Sequence, residues 1–211
     1  MKIKFKKYWR KTSLKNKEDA YFLLEHIKKK KPKNLLEIGI FHGVTSRNIC
    51  ELLNVIHEGS FKFTGIDIFS EEKKDLSNEI APKTQFSNPL KNFYYKHIAR
   101  LDPYTYLSVN KLLSKFSKNI NIIKGNSNKV LQEIKPLSFD YVFLDGGHKY
   151  ETVKSDLENL TEVIKNNGTL ICDDYNLSYA PGVKKAIDEY VGVNNFNLEI
   201  HNKRFAEITK K

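Results

Sequence analysis

At 211 residues, with 40% hydrophobic and 12% aromatic residues, the chain can bury the core of one α/β domain, which excludes a disordered or fibrous polymer. No stretch reads as a membrane span or secretory signal. Two cysteines in apolar contexts, Cys50 and Cys172, speak against a disulfide framework and for a reducing, cytoplasmic setting. The net charge of +11 is gathered at the front: residues 1–33 carry thirteen Lys/Arg against Glu18, Asp19 and Glu25, and the remainder is close to neutral.

Residues 1–33 therefore read as a basic arm and a helix, and 34–211 as one domain. An arm of this charge could meet nucleic acid, an anionic membrane or an acidic glycan. No aromatic stacking platform accompanies the lysines, so a solvated leader is the preferred reading. Ala20, Leu23, Leu24 and Ile27 share one helix face, and the helix stops before Pro32. NLLEIGI (34–40) is the first buried strand, Ile49, Leu52, Leu53 and Ile56 mark a helix opening near Val44, and FKFTGIDIF (61–69) is the second strand.

Residues 70–118 interrupt the alternation with Pro82, Pro89, Pro103 and a cluster of aromatics, and one longer helix is expected around 105–117. So long an insertion is either a lid or substrate-binding segment, or a helical decoration whose rings pack on the domain. Alternation then resumes with NINIIKG (119–125), a short helix, FDYVFLD (139–145), a helix striped by Val153, Leu157, Leu160 and Ile164, GTLICD (168–173), and a helix striped by Val183, Ala186, Ile187 and Tyr190. FNLEIHNKRFAEI (196–208) reads as an antiparallel hairpin turning at Asn202-Lys203. Five βα units and a hairpin predict a doubly wound, three-layer, Rossmann-like α/β domain.

Ligands of such sheets bind beyond the carboxyl ends of the strands, and the polar residues of this chain collect there. Asp145 ends one strand, and Asp173 and Asp174 end the next. Three carboxylates on one edge suit a hard divalent cation such as Mg²⁺; capping and loop solvation account for one of them but poorly for three. The first strand ends in Glu37, Gly39, Phe41 and Gly43, where a dinucleotide site would need a middle glycine at position 41. Glu37 would repel a phosphate and favours a cationic or zwitterionic ligand. Asp67 ends the second strand, where a carboxylate can accept both hydroxyls of a ribose, and Asn126-Ser127 can meet an adenine edge, although Ser127 also reads as a helix N-cap.

Over about residues 34–192 the chain resembles the class I S-adenosylmethionine-dependent methyltransferases, in the branch of catechol O-methyltransferase and the macrolide sugar O-methyltransferases. The resemblance implies a mostly parallel seven-stranded sheet and S-adenosyl-L-methionine as cofactor. It implies that Glu37, Gly39, Phe41, Gly43 and Thr45 cradle the methionyl part, that Asp67 and Ile68 hold ribose and flank adenine, and that Asn126 and Ser127 lie on the adenine side. It also implies that Asp145, Asp173 and Asp174 hold the metal, with Asp145 thereby catalytic and His148 in the position of the general base; packing under a lid is the plainer role for His148. The acceptor would be a hydroxyl of a small molecule or sugar. The rivals are a metal-independent N- or RNA methyltransferase guided by the arm, an NAD-dependent oxidoreductase, which Phe41 and Glu37 disfavour, and a non-catalytic binding subunit. Homo-oligomerisation stays open.

Overall fold

The computed structural model describes residues 4–69, 86–194 and 196–210. Seven strands form one sheet: β1 (Asn34–Ile38), β2 (Lys62–Asp67), β3 (Ile120–Lys124), β4 (Phe139–Leu144), β5 (Ile164–Cys172), β6 (Asn197–His201) and β7 (Phe205–Thr209). Their order is β3-β2-β1-β4-β5-β7-β6. The first five are parallel, and β7 lies antiparallel to both β5 and β6. Helices α1 (Lys17–Lys30), α2 (Val44–Ile56) and α4 (Tyr106–Leu113) cover one face; α5 (Ser127–Glu133), α6 (Tyr150–Val163) and α7 (Pro181–Asn194) cover the other.

The two-residue period of the strands fills both layers. Leu35, Tyr141, Phe143 and Ile171 enter the core beneath α1 and α2, whereas Leu36, Val142, Leu144 and Leu170 enter the core beneath α6 and α7. On α1 the expected stripe of Ala20, Leu23, Leu24 and Ile27 is buried, and each larger member contributes about 1.5–3 kcal/mol. Asn16 caps the helix by accepting from the Glu18 amide at 3.1 Å, and Lys31 closes it in the left-handed region before Pro32. The anticipated hairpin turn is present: Asn202 and Lys203 have φ of 51° and 56°, the paired positive values of a type I′ turn.

Three local expectations need correction. β5 opens at Ile164, directly from α6, rather than at Gly168, because a register irregularity against β4 lets residues 165–167 pass at the surface before pairing resumes at Thr169. Asn126, not Ser127, caps α5, its side chain accepting from the Asn128 amide at 2.9 Å. The basic arm is not a solvated leader over residues 4–14. Leu14 is buried, the Lys6 backbone and the Asn48 side chain exchange two hydrogen bonds of 2.8 Å, and Arg10 is held by backbone and side-chain oxygens. The lysines are snorkelled outward while the arm's apolar and backbone groups pack, which a charge count does not register.

Of the expected insertion, residues 70–85 lie outside the described residues. The rest contains α3 (Pro89–Phe93), one π-helical turn (Tyr94–Ile98), α4 and a 3₁₀ turn (Ser114–Phe116), so the helix anticipated at 105–117 is split in two. Its aromatics divide: Phe86 and Tyr104 are buried, whereas Phe93, Tyr94 and Tyr106 are exposed.

Candidate active site

The strand order reverses between β1 and β4, and the sequence motifs meet beyond that crevice. Gly39, at φ 90°, lies so close to β4 that a Cβ there would stand 1.8 Å from the Asp145 carbonyl oxygen. Only glycine permits this approach, and it brings the loop after β1 against the carboxylate end of β4. Gly43, at φ 73°, caps α2, and Thr45 lies buried in its first turn. Phe41 and Asp174, on the two loops of this crevice, are among the non-glycine residues with positive φ, at 53° and 59°, a strain of order 1–3 kcal/mol each.

Glu37 is fully buried. Its Oε2 accepts from Ser46 Oγ at 2.5 Å, while Oε1 has no hydrogen-bond partner. Burial pushes its carboxyl up to about 8, against the counter-pull of the Ser46 bond. A buried acid with one orphaned oxygen fits a neighbouring cation, so the chemistry of this end of β1 suits an ammonium or sulfonium and not a pyrophosphate.

Asp67 is also buried, and its carboxylate is already occupied. Oδ2 accepts from the amides of Ile40 (2.7 Å) and Phe41 (2.8 Å), and Oδ1 from the Phe69 amide (2.7 Å) and the Tyr104 hydroxyl (3.0 Å). Ile68 is half-buried beside it, Asn126 is exposed, and Ser127 is half-buried. His42, within the glycine motif, accepts from the Lys11 amide through Nδ1 at 3.3 Å. Burial and the charges of Arg10 and Lys11 hold it down at about 3, so it is a neutral ring that anchors the arm.

Beyond β4 and β5 stand the three aspartates. Asp145 Oδ2 accepts from Ser13 Oγ at 2.7 Å, which brings the arm across the site. Burial and the charges of Asp173 and Asp174 push the Asp145 carboxyl well up. Asp173 receives the fork of Arg204, Nε to Oδ1 at 2.5 Å and Nη2 to Oδ2 at 2.6 Å, and burial still pushes it up to about 6. Asp174 faces His148 Nε2 at 2.9 Å, Tyr179 Oη at 2.8 Å and Arg204 Nη2 at 3.3 Å. Although burial raises it, those three partners hold it below the usual carboxylate range. One donor atom each from Asp145, His148 and Asp174 lie within 4.8 Å of one another, a spacing that fits a bound cation, whereas the Asp173 carboxylate is spanned by Arg204.

The profile of a family described as a methyltransferase domain matches residues 36–175, two thirds of the chain and every one of these strand ends. The chain belongs to this family. No curated protein sequence gave a significant match. Among solved structures, the fold is similar to the S-adenosylhomocysteine-bound methyltransferase PaMTH1 of Podospora anserina (TM-score 0.62, 14% identity, covering 94% of this chain and 80% of that one). It is also similar to a putative caffeoyl-CoA O-methyltransferase from Staphylococcus aureus (TM-score 0.62, 16%, 93% and 84%). A third is CalS11, a TDP-rhamnose 3′-O-methyltransferase of calicheamicin biosynthesis (TM-score 0.60, 15%, 91% and 78%). At these identities the likeness establishes the class I methyltransferase fold.

Sequence reading of this methyltransferase missed Ser13, Arg204, Tyr104 and Tyr179, which reach the site from the arm, the hairpin, the insertion and the loop after β5. Only Arg204 had a usable signal: a hairpin strand alongside β5 carries its first residues to the β5 carboxyl end.

The state of Glu37 has a measurable consequence. Its carboxyl, ordinarily near 4.5, keeps a proton in the folded protein up to about 8, so the folded state binds more protons and stability falls as pH rises across that window. Glu37→Gln, which cannot ionise, is expected to match the parent near pH 4.5 and exceed it at pH 8 by up to roughly 4 kcal/mol in ligand-free thermal or denaturant melts. Parallel pH profiles for the two proteins would show that Glu37 is not protonated by burial.

Proposed function

We propose that this methyltransferase uses S-adenosyl-L-methionine to methylate a hydroxyl of a small molecule or sugar with the help of a divalent cation. The observation that carries the reading is the adjacency, through Gly39, of an orphaned buried acid to a cluster of aspartates and one imidazole. Glu37, Gly39, Phe41, Gly43 and Thr45 would receive the methionyl end, with the Glu37 carboxylate answering its positive charge. Asp67 would hold the ribose by exchanging the Tyr104 hydroxyl for those of the sugar, since its other three donors are backbone amides fixed by the fold. Ile68, Asn126 and Ser127 would border the adenine.

Asp145 and Asp174 would hold the cation, with Asp173 locked behind them by Arg204 and His148 alongside. A divalent cation at that point lowers the pKa of an acceptor hydroxyl and fixes its approach. His148, whose Nε2 lies 2.9 Å from Asp174, would take the hydroxyl proton. The remaining contribution of the chain is positioning, because a methyl group leaves its sulfonium in one in-line displacement.

Calorimetric titration with S-adenosylmethionine and S-adenosylhomocysteine, with Mg²⁺ and in chelator, tests this reading. Binding is expected in both conditions, since the cation belongs to the acceptor side, and near neutral pH it is expected to release a proton from Glu37, giving a buffer-dependent heat that Glu37→Gln lacks. Failure to bind either compound in either condition would remove the cofactor and the function with it.

A further inference from the structure

On the sheet face beneath α1, three groups that the methyl-transfer chemistry does not use converge. His26, in the middle of α1, presents Nε2 to Glu207 Oε2 at 3.1 Å, and His201, at the end of β6, presents its own Nε2 to the same oxygen at 3.0 Å. The three atoms lie within 4.8 Å of one another. The side chains are enclosed, with relative exposures of 9% for His26, 19% for His201 and 9% for Glu207.

The surroundings orient each group. The second nitrogen of His26 faces Tyr141 Oη at 2.9 Å, and that of His201 faces Glu199 Oε1 at 3.7 Å. Each far nitrogen has an oxygen neighbour able to take the ring proton once a metal occupies Nε2, the arrangement that second-shell oxygens impose on metal-binding imidazoles. Phe22 stacks over both rings, at centroid distances of 5.5 Å from His26 and 4.7 Å from His201, and fixes their planes. Lys30 takes the other Glu207 oxygen at 2.8 Å, so Oε2 alone faces the two rings.

We infer that His26, His201 and Glu207 form a second metal site, separate from the aspartate cluster, which binds a borderline transition-metal ion, Zn²⁺ foremost, and ties α1 to the β6–β7 hairpin. Two imidazoles and one carboxylate are a zinc donor set, which a water would complete to four. Bond lengths near 2.1 Å in tetrahedral geometry set donor atoms about 3.4 Å apart, so the two N···O separations need to open by only a few tenths of an ångström. The same atoms without a metal make a hydrogen-bonded staple, in which both Nε2–H groups donate to Oε2. The two states differ by the protons that the metal displaces.

The test is titration of the full chain with Zn²⁺, and with Co²⁺ read by its visible ligand-field absorption. One equivalent is expected to bind in the presence of excess Mg²⁺. His26→Ala and His201→Ala are each expected to weaken that equivalent by on the order of 10²-fold or more, while Asp145→Asn leaves it in place. Methyl transfer by the two histidine variants should persist. Because either variant could loosen α1, imidazole nitrogen resonances of the unaltered protein give a second readout: those of His26 and His201 should shift with Zn²⁺ and not with Mg²⁺. No such equivalent, an equivalent indifferent to both histidine variants, or resonances that stay in place would each overturn the site and leave the staple.

Discussion

Asp145→Asn is expected to lower kcat by on the order of 10³-fold while affinity for the methyl donor stays within a few-fold of the parent. The carboxylate stands across the Gly39 contact from the donor motif and against Asp174 and His148, so its charge serves the acceptor side. The same change should make the protein more stable. Burial and two neighbouring aspartates push the Asp145 carboxyl up, so ionising it costs stability that is lost as pH rises, and asparagine never ionises. Tm should therefore rise, more at pH 8 than at pH 5, and that rise separates lost chemistry from lost folding. Turnover indifferent both to this substitution and to chelator would end the metal-assisted reading.

Arg204→Ala should have the opposite character, with a large effect on stability. It removes the fork that spans Asp173 and the 3.3 Å contact to Asp174, leaving buried carboxylates to repel one another. Breaking a buried pair from one side costs about 3–5 kcal/mol. The lower end is expected, because Asp173, already at about 6 beside the guanidinium, then takes up a proton near neutrality. Arg204→Lys should recover only part of the loss, since an ammonium cannot span both oxygens. Adding Asp173→Asn should recover most of it. Denaturant unfolding of the parent, Arg204→Ala, Asp173→Asn and the double variant closes the cycle, and a loss under about 1 kcal/mol for Arg204→Ala would mean that the fork does not hold the site.

The parallel strands and their helices were legible because buried strands write themselves as unbroken apolar runs and amphipathic helices as stripes. Asn202 announced its turn as a residue type that tolerates positive φ, between two apolar runs. The strand-end carboxylates were legible for the same topological reason. What composition hid was the arm: Arg10 and Ser13 look like members of a basic leader, and only the folded chain brings them within 3.2 Å of Pro103 and 2.7 Å of Asp145. The engagement of Asp173 by Arg204, 31 residues downstream, likewise needed the antiparallel register of β7 on β5. His26 and Glu207, 181 positions apart, carry no local pattern at all. Linear spacing reveals neighbours along one element and is silent on partners joined by the sheet.

The guanidinium of Arg10 reaches the His42 carbonyl, the Pro103 carbonyl and both oxygens of Ser108. One side chain thus fastens the leading segment, the glycine loop and the start of α4 into a single latch over the crevice. Lifting the leading segment with Arg10 breaks all four hydrogen bonds, whereas moving the glycine loop alone breaks only the one to His42 and moving the start of α4 only those to Pro103 and Ser108, so the arm is the costliest of the three parts to displace.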